Sequence, residues 1–246
     1  MTERYKVQEL LKQIGKQGQK ALLRSKIAII GCGGLGSVLA NNAVRCGIGS
    51  IILVDSDRVE LTNLHRQILY TEEDIGLYKA LAAKRNLERI NSDVKIDALI
   101  ARFDYKNAEK IIKNCNLVFD GTDNFETRYI INEFCVKNRI PWVFASVTAT
   151  LGYVMSIIPG KTPCYKCLMK SFPLAPPTSR TVGVLNAAVN ITASFQFLEG
   201  LKILLKKSYS KGLLYIDAWN ETIEKLQIKR DPNCQVCSKI FKKAQR

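Results

Sequence analysis

A glycine-rich turn, GCGGLG at residues 31–36, lies between the apolar run KIAII and a segment with a helical pattern. This order of strand, glycine turn and helix is typical of a dinucleotide-binding unit, with Gly31, Gly33 and Gly36 at its glycine positions. The next apolar run ends at Asp55, where a carboxylate can accept hydrogen bonds from a ribose diol. The turn therefore predicts a nucleotide-binding α/β fold, and it leaves open whether the nucleotide is NAD or ATP.

The hydrophobic pattern beyond this turn predicts a doubly wound, Rossmann-like sheet. Strand-like and helix-like segments alternate as far as about residue 140, which is typical of a mostly parallel sheet with helices on both faces. After that point strand-like runs follow one another closely, so we expect an antiparallel C-terminal extension, interrupted by a long helix at about 184–206. The lead-in to the first strand predicts one or two helices interrupted at Gly15 and Gly18.

Composition and charge limit the environment of the chain. Hydrophobic residues at 47% and charged residues at 24% are typical of a soluble globular protein. No apolar run approaches the roughly 20 residues that span a bilayer, and the polar start lacks the apolar core of a signal peptide, so we expect a cytoplasmic protein without membrane contact. The net charge of +15 indicates either a lysine-rich solvated surface or attraction for an acidic partner or polyphosphate. Nucleic acid is disfavoured because no basic run is interleaved with aromatic residues.

Four of the eight cysteines form two identical pairs, Cys164-x-x-Cys167 and Cys234-x-x-Cys237. Eight cysteines in a chain predicted to be intracellular argue against a disulfide framework, whereas two CxxC pairs have the spacing of a zinc site. A redox CxxC is the alternative, which the second copy disfavours. With four thiolates around one tetrahedral Zn²⁺, no position is left for water, so we predict a structural zinc site.

The segment TNLHRQ after Asp55 carries a dense set of polar side chains. Asn63, Arg66 and Gln67 are spaced i, i+3 and i+4, so they share one face if they lie on one helical turn. An arginine flanked by two amides suits an anionic, oxygen-rich ligand such as a polyphosphate. The same residues also fit an ordinary polar start of a helix.

An acidic turn, FDGTDN, follows a predicted strand and carries Asp120, Asp123 and Asn124. Carboxylates at the carboxyl end of a parallel strand lie where such sheets bind ligands, and they suit Mg²⁺ that is also held by phosphates. The alternative is a turn that caps the next helix, and the two roles do not exclude each other. Lys79, taken alone, has the pattern of a solvated helix lysine.

Together these motifs resemble the MoeB/ThiF/HesA adenylyltransferases, relatives of the ubiquitin-activating enzymes. The resemblance covers nearly the whole chain and rests on the order of its motifs: GCGGLG, DSDRVELTNLHRQ, GLYKA, TDN with its trailing Arg128, PCYKC, FLEGLKIL and NCQVC. It implies ATP-dependent adenylation of the C-terminal glycine of a small ubiquitin-like or sulfur-carrier protein ending in Gly-Gly. Pyrophosphate is the expected product, and a homodimer is the expected assembly.

The resemblance also implies roles for individual residues. The glycine loop and Asp55 would hold the adenosine, polar residues downstream would bind the phosphates, and Asp123 would bind Mg²⁺. The implied nucleotide-binding residues are Gly31, Gly33, Gly34, Gly36, Asp55, Asn63, Arg66, Gln67, Lys79, Asp123 and Asn124. Among them Arg66, Lys79 and Asp123 would be catalytic. Because the reaction needs alignment and fixed positive charge more than acid–base chemistry, His65 is expected to be a wall or packing residue.

The lead-in departs from the family pattern at Val7. Many members have an arginine there, which enters the ATP site of the neighbouring subunit, whereas this chain reads RYKVQ. Either Arg4 or Lys6 substitutes for that arginine, or the site has one positive charge fewer.

A second departure lies at Ser179, where relatives that form a thioester have a cysteine. A serine hydroxyl is far less nucleophilic than a thiol at neutral pH. We therefore expect a MoeB-like enzyme that makes the adenylate without a covalent intermediate at this position.

Other functions remain as alternatives. A catalytically impaired scaffold that binds nucleotide and partner is consistent with Val7, and an NAD oxidoreductase leaves TNLHRQ, TDN and the cysteine pairs unexplained. A related enzyme that resembles the tRNA threonylcarbamoyladenosine dehydratases is a further alternative, which NLHRQ and the paired cysteines fit less well. We expect a single domain over residues 1–246: a helical lead-in (1–25), a nucleotide-binding half (26–150) and a zinc-bearing, partner-binding half (151–246).

Overall fold

One continuous sheet of eight strands organises the molecule, whose computed structural model describes residues 3–171 and 182–240. The strands are β1 Lys26–Ile30, β2 Ser50–Val54, β3 Lys95–Leu99, β4 Leu117–Asp120, β5 Trp142–Thr148, β6 Leu151–Ile157, β7 Leu213–Asp217 and β8 Thr222–Leu226. They lie in the order β3-β2-β1-β4-β5-β6-β7-β8. The pairs from β3 to β5 are parallel and those from β5 to β8 are antiparallel. The predicted parallel sheet with an antiparallel extension is confirmed.

Helices cover both faces of this sheet. They are α1 Lys6–Glu9, α2 Gly15–Leu23, α3 Gly34–Cys46, α4 Lys79–Glu88, α5 Ala108–Ile112, α6 Phe125–Lys137, α7 Tyr165–Ser171 and α8 Asn186–Leu204, with 3-10 turns at Glu3–Tyr5, Leu61–Asn63 and Glu72–Asp74. The helices α3, α4 and α8 share one apolar core with the sheet, and α5, α6 and α7 share the other. In the described part of the chain, no helix combines the length and apolar character needed to cross a membrane.

The strand β1 shows why the parallel strands read as unbroken apolar runs. Successive side chains of a strand point to opposite faces, and here Ile27 and Ile29 enter one core while Ala28 and Ile30 enter the other. Both faces are buried because helices cover them. The carboxyl ends of β1, β2 and β4 consequently meet at one edge of the sheet, where the chain leaves for its loops.

Two local predictions were wrong in detail. Gly18 lies inside α2 and packs close to Leu205, so it does not interrupt the helix. The stretch from about Gly76 to Ile90 has a helix-like pattern, but α4 begins only at Lys79, because Gly76 has a φ of +85° and Tyr78 is extended and pairs with Arg58.

Candidate functional site

A cavity of about 1280 Å³ opens at the carboxyl ends of the parallel strands and continues along the β5–β6 hairpin. Its walls include almost every residue that the sequence predicts for a nucleotide site. These are Gly31, Gly33, Gly34, Asp55, Asn63, Arg66, Gln67, Lys79, Asp123 and Asn124. Segments far apart in the sequence are therefore brought to one cleft.

Gly36 is the exception, since it does not line the cavity. A Cβ atom on Gly36 would lie 1.9 Å from the carbonyl oxygen of Gly31, so its role is the close packing of α3 against the turn. Gly31 has a φ of +91°, and its Cβ would lie 2.6 Å from the carbonyl oxygen of Gly121. This packing leaves the N-terminus of α3 facing the cleft, where backbone N–H groups favour an anion.

The carboxylate of Asp55 is fixed by two backbone donors. Cys32 N donates to Oδ2 at 2.7 Å and Asp57 N donates to Oδ1 at 2.8 Å. Burial raises the pKa of Asp55 above the usual aspartate value, while these hydrogen bonds and the charge of Lys79 act against the rise. Each oxygen retains a lone pair, so the group can also accept from a ligand hydroxyl.

Lys79 is a buried residue of the cleft, so its reading as a solvated lysine is wrong. Its side chain is 9% exposed, and Nζ lies 3.1 Å from Oδ2 of Asp57, whose side chain is 66% exposed. Sequence reasoning missed Asp57. The signal available was its place two residues after Asp55, which puts it at the same end of β2.

The TNLHRQ segment does not form an α-helix. It begins with the 3-10 turn Leu61–Asn63, and then the backbone N–H groups of Arg66 and Gln67 both donate to the carbonyl oxygen of Asn63 at 3.1 Å. Asn63, Arg66 and Gln67 nevertheless all line the same cleft. Gln67 Oε1 is buried and has no partner among the described residues, which makes it an acceptor for a ligand's donor.

The two aspartates of the acidic turn have different surroundings. Asp120 is fully buried and pairs with Arg128, whose Nε lies 3.1 Å from Oδ2. Burial raises the pKa of Asp120, and the Arg128 charge opposes that rise. Asp123 is exposed in the cleft, and within the described part of the chain its carboxylate makes no hydrogen bond or ion pair. Asn124 caps α6, because its Oδ1 accepts from Thr127 N at 2.9 Å.

Two further residues hold this turn in place. Arg128 Nη2 donates to the carbonyl oxygen of Thr122 at 2.7 Å. Gln196 Nε2, from α8, donates to the carbonyl oxygens of Asp120 and Val143 at 2.7 and 2.8 Å. Arg128 was visible in the sequence as part of the family motif, whereas Gln196 carried no signal because a buried glutamine has no characteristic spacing.

His65 is exposed and lines the cavity beside Arg66, with Nε2 2.8 Å from Arg66 Nη1. This position fits the expected wall residue. Ser179 lies outside the described residues.

The cationic side chains near Val7 have local partners. Val7 itself is 80% exposed. Arg4 Nη1 donates to the carbonyl oxygen of Ile90 at 3.1 Å, and Lys6 Nζ lies 2.8 Å from Glu3 Oε1. Neither residue lines the cleft of its own chain.

The two cysteine pairs converge on one buried cluster. The four Sγ atoms lie within 4.8 Å of one another, with Cys164 3.9 Å from Cys167 and 3.6 Å from Cys234. Asp231 N donates to Cys167 Sγ at 3.4 Å, and hydrogen bonds from neighbouring thiols lower the pKa of Cys167. Four sulfur donors around one point fit a tetrahedral thiolate site.

The sheet order, the glycine turn at a helix N-terminus and the polar cleft are typical of α/β proteins that bind nucleotides. A family model described as the ThiF family matches residues 5–236. A sulfur carrier protein ThiS adenylyltransferase of Bacillus subtilis is 40% identical over 91% of this chain and 68% of its own length. A sulfur carrier protein adenylyltransferase of Thermus thermophilus is 37% identical over 96% of this chain and 90% of its own.

One solved structure has a similar fold. MccB of E. coli, determined with ATP, has a TM-score of 0.83 and 27% identity, and the match covers 96% of this chain and 75% of that one. The chain belongs to the ThiF family. The prediction of an adenylyltransferase is confirmed by these relatives.

Proposed function

We propose that this protein uses ATP to adenylate the C-terminal glycine of a small sulfur-carrier or ubiquitin-like protein, with release of pyrophosphate. One observation carries the proposal: a single cleft brings together the glycine turn, Asp55, Arg66, Lys79 and Asp123. Two relatives are named as adenylyltransferases of sulfur carrier proteins, which supports the same substrate class.

The cleft offers sites for the ribose and for the phosphates of ATP. Asp55 accepts from the ribose hydroxyls, and the N-terminus of α3 faces the phosphates with its N–H groups. Arg66 and Lys79 supply positive charge to the phosphates. Gln67 can donate a hydrogen bond to a phosphate from its amide nitrogen or accept one from a ligand hydroxyl with its unpaired oxygen. The Asp123 carboxylate is an unpaired oxygen donor, which fits Mg²⁺; the ion supplies charge neutralisation at the phosphates. A carboxylate can then approach the α-phosphate, because fixed charges offset the repulsion between the two anions.

The part of the cleft along the β5–β6 hairpin is the proposed site of the carrier's peptide tail. Ser146, Thr148, Ala149 and Gly183 line it together with Leu151. Small side chains at these positions allow the backbone of a bound peptide to come close to the protein. We place the Gly-Gly tail of the carrier here, beside the nucleotide, and we propose that the adenylate is the final product at this site, without a thioester at Ser179.

The cysteine cluster is proposed to hold Zn²⁺. The donors fit this ion because all four are sulfur and buried. A bound ion would crosslink α7 to the C-terminal segment, and it would be structural because no donor position is left for water.

We further propose a homodimer of single-domain chains in the cytoplasm, with a protein partner and no nucleic acid. Apolar side chains on the lead-in and on α8 support the homodimer because they are exposed. They are Val7, Leu10, Leu11, Ile191 and Leu198.

The experiment is ATP–pyrophosphate exchange with Mg²⁺, screened against the ubiquitin-like proteins of the source organism. We expect exchange with one carrier and a loss of at least about 100-fold in Asp123→Asn. Asp93→Asn is the matched control, because Asp93 is also exposed but lies outside the cleft. ATP binding without exchange by any carrier would favour the scaffold, which the replacement of the family's arginine by Val7 supports. Absence of ATP binding would overturn the nucleotide assignment itself.

A further inference from the structure

A chain of buried contacts connects the cysteine cluster to the acidic turn. We propose that metal occupancy of the cluster and binding of Mg·ATP strengthen each other, with Asn132 and Arg128 of α6 as the positioning residues. This inference rests on the proposed function, because it assumes Zn²⁺ at the cluster and ATP in the cleft.

The first contact joins the cluster to α6. Tyr165 follows Cys164 directly and is the first residue of α7. Its backbone N–H has no partner within that helix and donates instead to Oδ1 of Asn132 at 2.9 Å. Both residues are fully buried. A metal ion that fixes Cys164 therefore also fixes the contact between α7 and α6.

The second contact joins α6 to the turn. Arg128 and Asn132 are four residues apart on α6 and lie on the same side of the helix. Arg128 pairs with Asp120 and donates to the carbonyl oxygen of Thr122. Asp123 follows Thr122 directly. A shift of α6 would therefore move the carboxylate proposed for Mg²⁺.

An aromatic ring supports both contacts at once. The ring of Phe144, on β5, lies 5.1 Å from the ring of Tyr165 and 5.3 Å from the guanidinium carbon of Arg128. Tyr165 also packs against Trp142 at 6.0 Å. Close-packed interiors transmit displacements because they contain little free volume, so the position of Tyr165 and that of Arg128 depend on each other.

Binding free energies at two coupled sites are reciprocal. The affinity of the full-length protein for Zn²⁺ is therefore measured by competition with a chromophoric chelator that prefers zinc to magnesium, with and without Mg·ATP. We expect Mg·ATP to tighten zinc binding at least about fivefold. Asn132→Ala is expected to retain both ligands but to lose this difference, because it removes the acceptor for Tyr165 N. Tyr165→Phe is expected to keep it, because the ring and the backbone N–H remain.

Asn91→Ala is the matched control. Asn91 is another buried asparagine, and its side chain donates hydrogen bonds to Tyr5 and Val44, away from both sites. Asn91→Ala should therefore keep the difference in zinc affinity, and a loss in this variant too would indicate general destabilisation. Equal zinc affinity with and without Mg·ATP in a wild-type protein that binds both would overturn the coupling. So would a coupling that survives in Asn132→Ala. A wild-type protein that fails to bind ATP would instead count against the proposed function, and the binding measurement separates the two failures.

Discussion

Asp120 and Asp123 lie three positions apart, and their surroundings predict a large loss of stability for one Asp→Asn substitution and almost none for the other. Asp120→Asn leaves the buried Arg128 without its ion pair, so we expect the free energy of unfolding to fall by about 3 kcal/mol. Asp123→Asn should change it by less than about 0.5 kcal/mol, because that side chain is exposed and unpaired within the described chain. Urea unfolding of both variants checks this. Equal losses would show that Asp123 has a structural role.

The pKa of Asp55 predicts a pH dependence with a definite sign. Burial raises this pKa in the folded chain, whereas an unfolded aspartate has a pKa of about 3.9. At pH values between the unfolded-state and the folded-state pKa of Asp55, the folded state binds more protons than the unfolded state. The contribution of Asp55 to stability is therefore fully present below about 3.9 and is lost as pH rises through the folded-state pKa.

Urea unfolding of wild type and Asp55→Asn from about pH 3 to about pH 7 measures this contribution. We expect the stability of wild type relative to the variant to fall with rising pH across that window. ATP affinity should change in the opposite direction, because a ribose diol needs the ionised carboxylate as its acceptor. A pH-independent stability difference would contradict the raised pKa.

At the scale of elements, the approach of α3 to the glycine turn predicts that Gly36→Ala is costly. The added Cβ would lie 1.9 Å from the carbonyl oxygen of Gly31, and backbone atoms cannot move aside as a side chain can. We expect a loss of about 3 kcal/mol in the free energy of unfolding and weaker ATP binding, measured by urea unfolding and by calorimetry.

Gly18→Ala, inside α2, is the control for this prediction. Its Cβ would approach the side-chain ends of Leu205 and Ile14 at 3.1 and 3.3 Å, and these can shift. Alanine is also about 1 kcal/mol more favourable than glycine in a helix, so we expect little loss or a small gain. Similar losses in both variants would contradict the packing argument for Gly36.

The parallel half of the sheet could be predicted from sequence because each strand is buried on both faces. The run KIAII became β1 over Lys26–Ile30 for this reason. The TNLHRQ segment was harder, since the spacing of Asn63, Arg66 and Gln67 fits a helix and a 3-10 turn equally well. A capping interaction between Glu60 and Asn63 accompanies the 3-10 turn, and the spacing of the residues does not predict it.

Within the candidate site, the sequence gives residue types but not tertiary partners. The sequence shows Asp120 and Asp123 as two aspartates of one turn. Their roles differ because only Asp120 has the buried Arg128 as its ion-pair partner. Likewise, the pairing of Lys79 with Asp57 joins residues distant in sequence. The cysteine cluster could be foreseen because paired CxxC motifs already specify four sulfur donors.

At the scale of the whole molecule, Val7 allows a test of the assembly. The family resemblance puts an arginine of one subunit in the ATP site of the next, and here Val7 is 80% exposed while Arg4 and Lys6 have local partners. We expect Val7→Arg to raise the rate of ATP–pyrophosphate exchange by about tenfold, equivalent to about 1.4 kcal/mol of transition-state stabilisation. The exposure of Val7 means that the substitution should leave the fold unchanged.

Leu10→Arg adds the same charge to the same lead-in at a position that is 81% exposed. We expect no rise in exchange for this control, since a general increase in positive charge is not the cause. Sedimentation of both variants must show the wild-type assembly, because an arginine at the interface of the proposed homodimer can dissociate it. A faster Val7→Arg dimer would place the lead-in of one chain at the active site of its partner. An intact dimer with an unchanged rate would show that Arg66, Lys79 and the α3 N-terminus already provide the charge that the reaction requires.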